Sequence, residues 1–284
     1  MNILFYILVI IFLITFPAET ANTALQALTI WATSVVPVLF PYMFFSRLLC
    51  AALSTLRLPA FLTVAVLGFL GGSPSGASLI AANASSLSER GLFTLCVLTG
   101  TISPMFILGS IQSWIDHPSM AGLFLLCHWL SAIVCACAVW LFYRGRRENR
   151  PIIPKVVNLK FSNPISQSID AMFQIGGCII LYSVLAGMLG KILHAFPAIL
   201  PFVHSMFEVS GGIHSLCQSI LSPQLKYISI AAALGFSGFS ILSQNHTMIQ
   251  TLGMPIHRMI LFAVFRAAIS AVMMACMLTW LPIS

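Results

Sequence analysis

Gly71-Gly72-Ser73-Pro74-Ser75-Gly76 interrupts one long apolar stretch, and Gly100-Thr101-Ile102-Ser103-Pro104 interrupts the next. The second half repeats the pattern: Glu208-Val209-Ser210-Gly211-Gly212 breaks one apolar segment, and Gly235-Phe236-Ser237-Gly238-Phe239-Ser240 breaks the one after it. In hydrocarbon an unpaired backbone group is heavily penalised, so broken backbone at membrane depth survives only where protein or a water-filled cavity surrounds it. Interruptions at matching places in two halves are the pattern of a transporter binding site.

Composition supplies the membrane premise. Apolar residues make up 59% of 284 residues and charged residues 7%, and the mean hydropathy is +1.01. A soluble domain carries about 25% charged residues, so this chain cannot build a water-facing surface. The expected class is an all-α polytopic membrane protein, with no stretch of soluble catalytic composition.

The net charge is +7, and six of the thirteen basic residues fall in one loop: Arg144, Arg146, Arg147, Arg150, Lys155 and Lys160. No interleaved aromatics form a stacking platform, so no nucleic-acid partner is expected. The loop reads as a positive-inside signal, with the lipid bilayer as its partner. The eight cysteines show neither C-x-x-C nor zinc spacing with histidine, so neither disulfides nor a metal are expected. They read as small buried hydrophobes.

Residues 1–20 read as an N-terminal transmembrane helix, since Asn2 to Phe16 lacks the basic start of a signal peptide. Residues 21–143 read as a first repeat, 144–163 as a basic cytoplasmic loop and 164–284 as a second repeat. The first repeat holds a helix from about Leu28 to Leu56 kinked by Pro37 and Pro41. A re-entrant hairpin from Pro59 to Ser88, a broken helix from Gly91 to Ser113 and a helix from Met120 to Tyr143 follow. The second repeat holds Ile169 to Leu193, a hairpin from Pro197 to Ile220, a broken helix from Lys226 to Gln244 and a helix from Arg258 to Leu281. This makes about seven transmembrane helices plus two re-entrant helical hairpins.

With the basic loop in the cytoplasm, Arg47, Arg57, Arg90 and Arg258 fall on the inner side. Lys191, Lys226, Glu19 and Asp116 fall outside. The N-terminus is then cytoplasmic, the C-terminus outside, and the halves are inverted repeats.

At the first hairpin tip, Gly72 and Gly76 let the chain turn tightly, Pro74 ends a helix, and Ser73 and Ser75 add hydroxyls. A helix starting after such a turn presents N–H groups to an anion. The competing reading is close helix packing through small residues. Thr101 and Ser103 flank the first broken helix, and Ser210, Gly211 and Gly212 follow Glu208 in the second hairpin. Ser237, Ser240 and Gln244 share one helical face at i, i+3 and i+7, whereas Ser243 reads as bonded to its own helix.

Glu208 is the one carboxylate expected near mid-membrane, where an ionisable group is a functional candidate. It binds a cation or proton, hydrogen-bonds substrate, or pairs with Arg266, which lies roughly 12 Å beyond Arg258 along the last helix. Arg266 is also a candidate partner for an anionic substrate. Gln167, Asp170 and Gln174 read as a packing face, as do His204 and His214 individually. There is no G-x-S-x-G, H-E-x-x-H, Walker or Rossmann motif, so neither an enzyme nor a cofactor is expected. Na+ and H+ stay open as coupling ions, with Glu208 and Gln244 as candidates. The expected partner is a small-molecule solute, and a homo-oligomer is compatible with the reading.

Several motifs carry a family resemblance. Phe16-Pro17, Val36-Pro37 and Phe40-Pro41 open it, and Gly72-Ser73-Pro74-Ser75-Gly76-Ala77 and Ser103-Pro104-Met105-Phe106-Ile107-Leu108-Gly109 continue it. Phe207-Glu208-Val209-Ser210-Gly211-Gly212-Ile213, Phe236-Ser237-Gly238-Phe239-Ser240 and Arg266 complete it. Together they resemble the sporulation integral membrane protein YlbJ family, of the nucleoside-recognition or Gate domain group, which is similar to concentrative nucleoside transporters. The resemblance implies two Gate-like repeats and export of dipicolinic acid from the mother cell during spore formation. Ser73 replaces the family's tyrosine and Ser78 an expected lysine, which leaves a nucleoside-type solute open. A non-transporting assembly factor of the spore-envelope membrane is the remaining alternative.

Overall fold

The computed structural model describes residues 3–53, 59–144 and 163–280, and their regular structure is entirely helical. Arg57 and most of the basic loop lie outside the described residues. Five described helices are long and apolar enough to cross a membrane: Pro17–Leu53, Met120–Phe142, Pro164–Ile192, Pro223–Leu252 and Ile256–Trp280. Ile3–Thr15, Ala60–Gly71 and Pro197–Phe207 are shorter apolar helices. The chain is thus an integral, multi-pass helical membrane protein.

The N-terminal helix α1, Ile3–Thr15, is shorter than the expected 1–20, and none of its residues is buried. Pro17, in the first turn of α2 (Pro17–Ile30), starts a new helix because its missing N–H is not needed there. The second helix therefore begins well before Leu28. Its threonines obscured this, but Thr29 and Thr33 return their hydroxyls to the carbonyls of Leu25 and Thr29 at 2.8 and 2.7 Å. The irregularity also sits earlier than the prolines. A π turn spans Trp31–Val35, closed by Val36 N–H on the Trp31 carbonyl, before α3 (Val36–Leu53). Pro37 cannot donate to the Thr33 carbonyl, and the widened turn makes room for its ring.

The first hairpin is α4 (Ala60–Gly71) with α5 (Ser75–Asn83). Next come α6 (Glu89–Thr99), a break, a π turn at Phe106–Ser110, and α7 (Met120–Phe142). The second half runs α8 (Pro164–Ile192), then a hairpin of α9 (Leu200–Phe207) and α10 (Val209–Cys217). The broken helix α11 (Pro223–Phe236) and α12 (Gly238–Ile249) follows, then α13 (Ile256–Trp280). The element order of the first half recurs in the second.

The charges sort to two ends. Where α7 finishes, Arg90 stacks on Trp140 at 3.8 Å and Arg258 donates to the Tyr143 hydroxyl at 3.0 Å. Arg47 reaches Gln167 at 3.2 Å, where α8 starts. At the opposite ends of those helices, Lys191 pairs with Glu19 and Lys226 lies 3.6 Å from Asp116.

Two apolar cores lie between these ends. One joins Ile102, Phe106 and Phe124 to Val209, Ile213, Ile230 and Leu234. The other joins Val64, Ile80 and Leu95 to Leu242, Ile249 and Met259. Each broken helix crosses from one core to the other at its break: α6 lies in the second core and Ile102 in the first, α11 in the first and α12 in the second. The two halves are therefore interlocked, and the breaks sit at the seam.

Candidate functional site

The first tip is built by Gly72, at φ +64°. A Cβ there would fall 2.6 Å from Ser103 N, so the hairpin presses its backbone onto the break of α6. Ser73 N donates to the Thr101 carbonyl at 2.7 Å, and the Ser73 hydroxyl to Asn245 Oδ1 at 2.6 Å. Pro74 offers no N–H to the Leu70 carbonyl, and the Tyr42 hydroxyl donates to that carbonyl instead. Ser75 opens α5, and Gly76 packs against Thr99, with room for no Cβ.

The break of α6 is stabilised from α7. Ile102 N donates to His128 Nε2 at 3.1 Å. Phe106 N donates to the Ser103 hydroxyl at 3.2 Å. The Thr101 hydroxyl is fully buried with no hydrogen-bond partner.

The second tip is narrower than the expected Glu208–Gly212. Glu208 alone leaves helical geometry, and Val209 to Gly212 already belong to α10. Both carboxylate oxygens of Glu208 cap that helix, Oε1 accepting from Ser210 N at 3.0 Å and Oε2 from Gly211 N at 2.6 Å. The chain's own carboxylate thus occupies this helix N-terminus, the position that favours an anion. Gly212 lies so close to the Ser205 backbone that α9 and α10 pack without a side chain between them.

Ser237 sits in left-handed geometry at φ 70° and forms the break between α11 and α12. A Cβ on Gly238 would lie 3.2 Å from Val209 N, so this break abuts the second tip. Ser237 does not share the face of Ser240 and Gln244, because it stands outside α12 in left-handed geometry, and its hydroxyl returns to the Leu234 carbonyl at 3.1 Å. Ser243 bonds to the Ser240 carbonyl, as expected.

The pairing of Glu208 with Arg266 is not formed. Arg266 donates to the Gly100 and Val97 carbonyls at 2.9 and 3.3 Å, at the end of α6. A cation suits a helix C-terminus, where carbonyls lack partners. Each intramembrane charge is therefore held by the backbone of a break.

Two spaces meet at Glu208. A central cavity of ≈ 40 Å³ is lined by Ser73, Ser103, Glu208, Ser210, Ser240 and Gln244, with apolar walls from Val35, Leu39, Ile102, Phe106, Ile175, Ile179, Val209 and Ile241. It has room for about two or three waters. A vestibule of ≈ 710 Å³ reaches Glu208, Gly211 and Gly212 from the other side. Its walls include Thr23, Gln26, Thr29, Thr33, Ser183, His204, His214, Ser215 and Gln218. These residues lie at the end of the fold marked by the Glu19–Lys191 pair. Among the described residues, neither Lys nor Arg lines either space.

Six of the expected site residues thus gather around one cavity, while Gly72, Pro74, Ser75, Gly76, Thr101 and Ser237 shape the breaks, and Arg266 lies on another small cavity. Sequence reading missed His128 and Tyr42 and placed Asn245 only as a flank of the Ser240 and Gln244 face; each satisfies a break from elsewhere in the fold. It also missed the polar face of α2 and the π turn after it, although Thr23, Gln26 and Thr33 recur at helical spacing. Among the described residues, no three His, Cys, Asp or Glu side chains gather as a metal site.

No family model and no solved structure matches the chain. A curated protein, the sporulation integral membrane protein YlbJ of Bacillus subtilis (strain 168), is 23% identical over an alignment of 299 residues, covering 84% of this chain and 73% of the relative. This supports a distant relationship to YlbJ-like membrane proteins.

Proposed function

We propose that this chain is a permease for a small solute rich in hydrogen-bonding groups, nucleoside-like in size, and that it serves the membranes of spore formation. The observation that carries the reading is that Glu208 borders both the vestibule and the central cavity. The solute enters the vestibule, whose volume lies in the roughly 300–1,000 Å³ range of ligand pockets. It meets Glu208 together with the hydroxyls and amide of Ser73, Ser103, Ser210, Ser240 and Gln244. The central cavity is too small for such a solute, so passage requires the hairpin tips to part. Moving one hairpin-bearing module against the other then exposes the site alternately.

The two halves act as inverted Gate-like repeats, with α1 counted among seven crossings. Placing the Arg90–Arg258 end in the cytoplasm puts the N-terminus inside, the C-terminus outside and the vestibule on the outer face. Neutral solutes with N–H or O–H donors suit Glu208 better than dipicolinate does, because among the described residues a dianion meets a carboxylate and no Lys or Arg. Na+ or H+ at Glu208 is the coupling we propose.

The test is thermal stabilisation of the detergent-purified protein by nucleosides, dipicolinate and other dicarboxylates. A ligand at 100 times its dissociation constant adds about 2.7 kcal/mol. Stabilisation by nucleosides that Ser240→Leu abolishes supports the proposal. Stabilisation by dipicolinate alone replaces the solute class. No stabilisation by any of them in folded protein favours the assembly-factor reading.

A further inference from the structure

Arg266 is 3% exposed, and among the described residues no carboxylate pairs with it. Two backbone carbonyls take its Nη1, but its Nε has no partner. Asn245, 2% exposed, turns its Oδ1 to Ser73 and leaves its Nδ2 without a partner. Arg266 and Asn245 both border one cavity of ≈ 20 Å³, behind the Gly100 break and apart from the central cavity. Leu242, Met254, Met259 and Phe262 form much of the remaining wall.

We infer that this cavity is a binding site for a monoatomic inorganic anion of chloride size. Both unmet groups are donors, and a halide accepts from both without hydrogens of its own to place against an apolar wall. It also supplies the counter-charge that a buried guanidinium otherwise lacks, and an isolated buried charge is strongly disfavoured. The volume suits about one water-sized body, which excludes the carboxylates of an organic solute. The anion also secures the amide that receives Ser73, so it stiffens the contact between the first hairpin and α12. None of this depends on the chain being a permease.

The experiment is a melting series of the full-length purified protein in sodium chloride against sodium gluconate at constant ionic strength, with bromide and sulfate as further arms. Chloride and bromide are expected to raise the melting temperature saturably above gluconate, whereas sulfate, which stabilises by exclusion, is expected to act without saturation. Asn245→Leu is expected to move the chloride midpoint upward by roughly tenfold or more, since it removes one hydrogen bond to a charged group. Arg266→Gln is expected to abolish the response, and if that variant fails to fold, Asn245→Leu and the wild-type series still decide. Equal melting in chloride and gluconate, or an unchanged midpoint in Asn245→Leu, overturns the site and leaves water in the cavity.

Discussion

The Ser73 hydroxyl at the first hairpin tip donates to Asn245 Oδ1 at 2.6 Å, across 172 residues of chain. It ties the first half to α12 of the second, at the level where both cores end. Ser73→Ala is expected to destabilise the protein by about 1 kcal/mol. Ser243→Ala, which removes only a bond to its own helical turn, is expected to be near neutral. Unfolding in mixed micelles compares them, and equal effects would remove Ser73 from this role.

Glu208 caps α10 through both oxygens. Glu208→Ala is expected to lower stability by about 1–2 kcal/mol, at the upper end for an N-cap. Glu208→Gln keeps one acceptor oxygen and is expected to fall between it and the wild type. The ordering is read from melting temperatures, and Gln as damaging as Ala would show that the charge, and not the cap, holds the tip.

Four glycines mark the two extremes of packing. A methyl at Gly212 meets the Ser205 backbone, and one at Gly235 lies 2.7 Å from the Ala267 and Arg266 backbone. Gly212→Ala and Gly235→Ala are therefore expected to cost about 1–3 kcal/mol or more. At Gly122 and Gly177 an added methyl would meet nothing within 4 Å. Alanine there is expected to be neutral, or stabilising by up to about 1 kcal/mol. Expression and melting of the four single variants test the division, which fails if the pairs behave alike.

Ser237 holds left-handed backbone between α11 and α12. Ser237→Val is expected to be destabilising by about 1–2 kcal/mol, and Ser237→Gly to be tolerated. Comparable losses in both would assign the requirement to the hydroxyl instead.

Local chemistry made the breaks legible in the sequence, because Gly72, Pro74 and Gly238 state where a helix cannot continue. Charge made the two ends legible: Arg90 and Arg258 make their contacts where α7 finishes, and Arg47 where α8 starts. What satisfies each break was not legible. Tyr42, His128 and Asn245 come from distant elements, and an isolated polar residue in an apolar run does not reveal its partner. The Glu208–Arg266 pair, one of the alternatives open for Glu208, is not formed for the same reason, since opposite charges suggest pairing while each has backbone groups nearer to hand. The start of α2 was hidden by Thr20, Thr23 and Gln26, polar residues that read as a loop; Thr23 and Gln26 instead line the vestibule wall.

The most direct test of the account is solute flux into liposomes containing the purified protein, with uridine and dipicolinate as labelled solutes. Saturable uridine uptake by the wild type is predicted, reduced at least about tenfold in Ser240→Leu, whose side chain fills the central cavity beside Glu208. Uptake no greater than in protein-free liposomes for either solute, or uptake unaffected by Ser240→Leu, would contradict a solute path through the seam of the two halves.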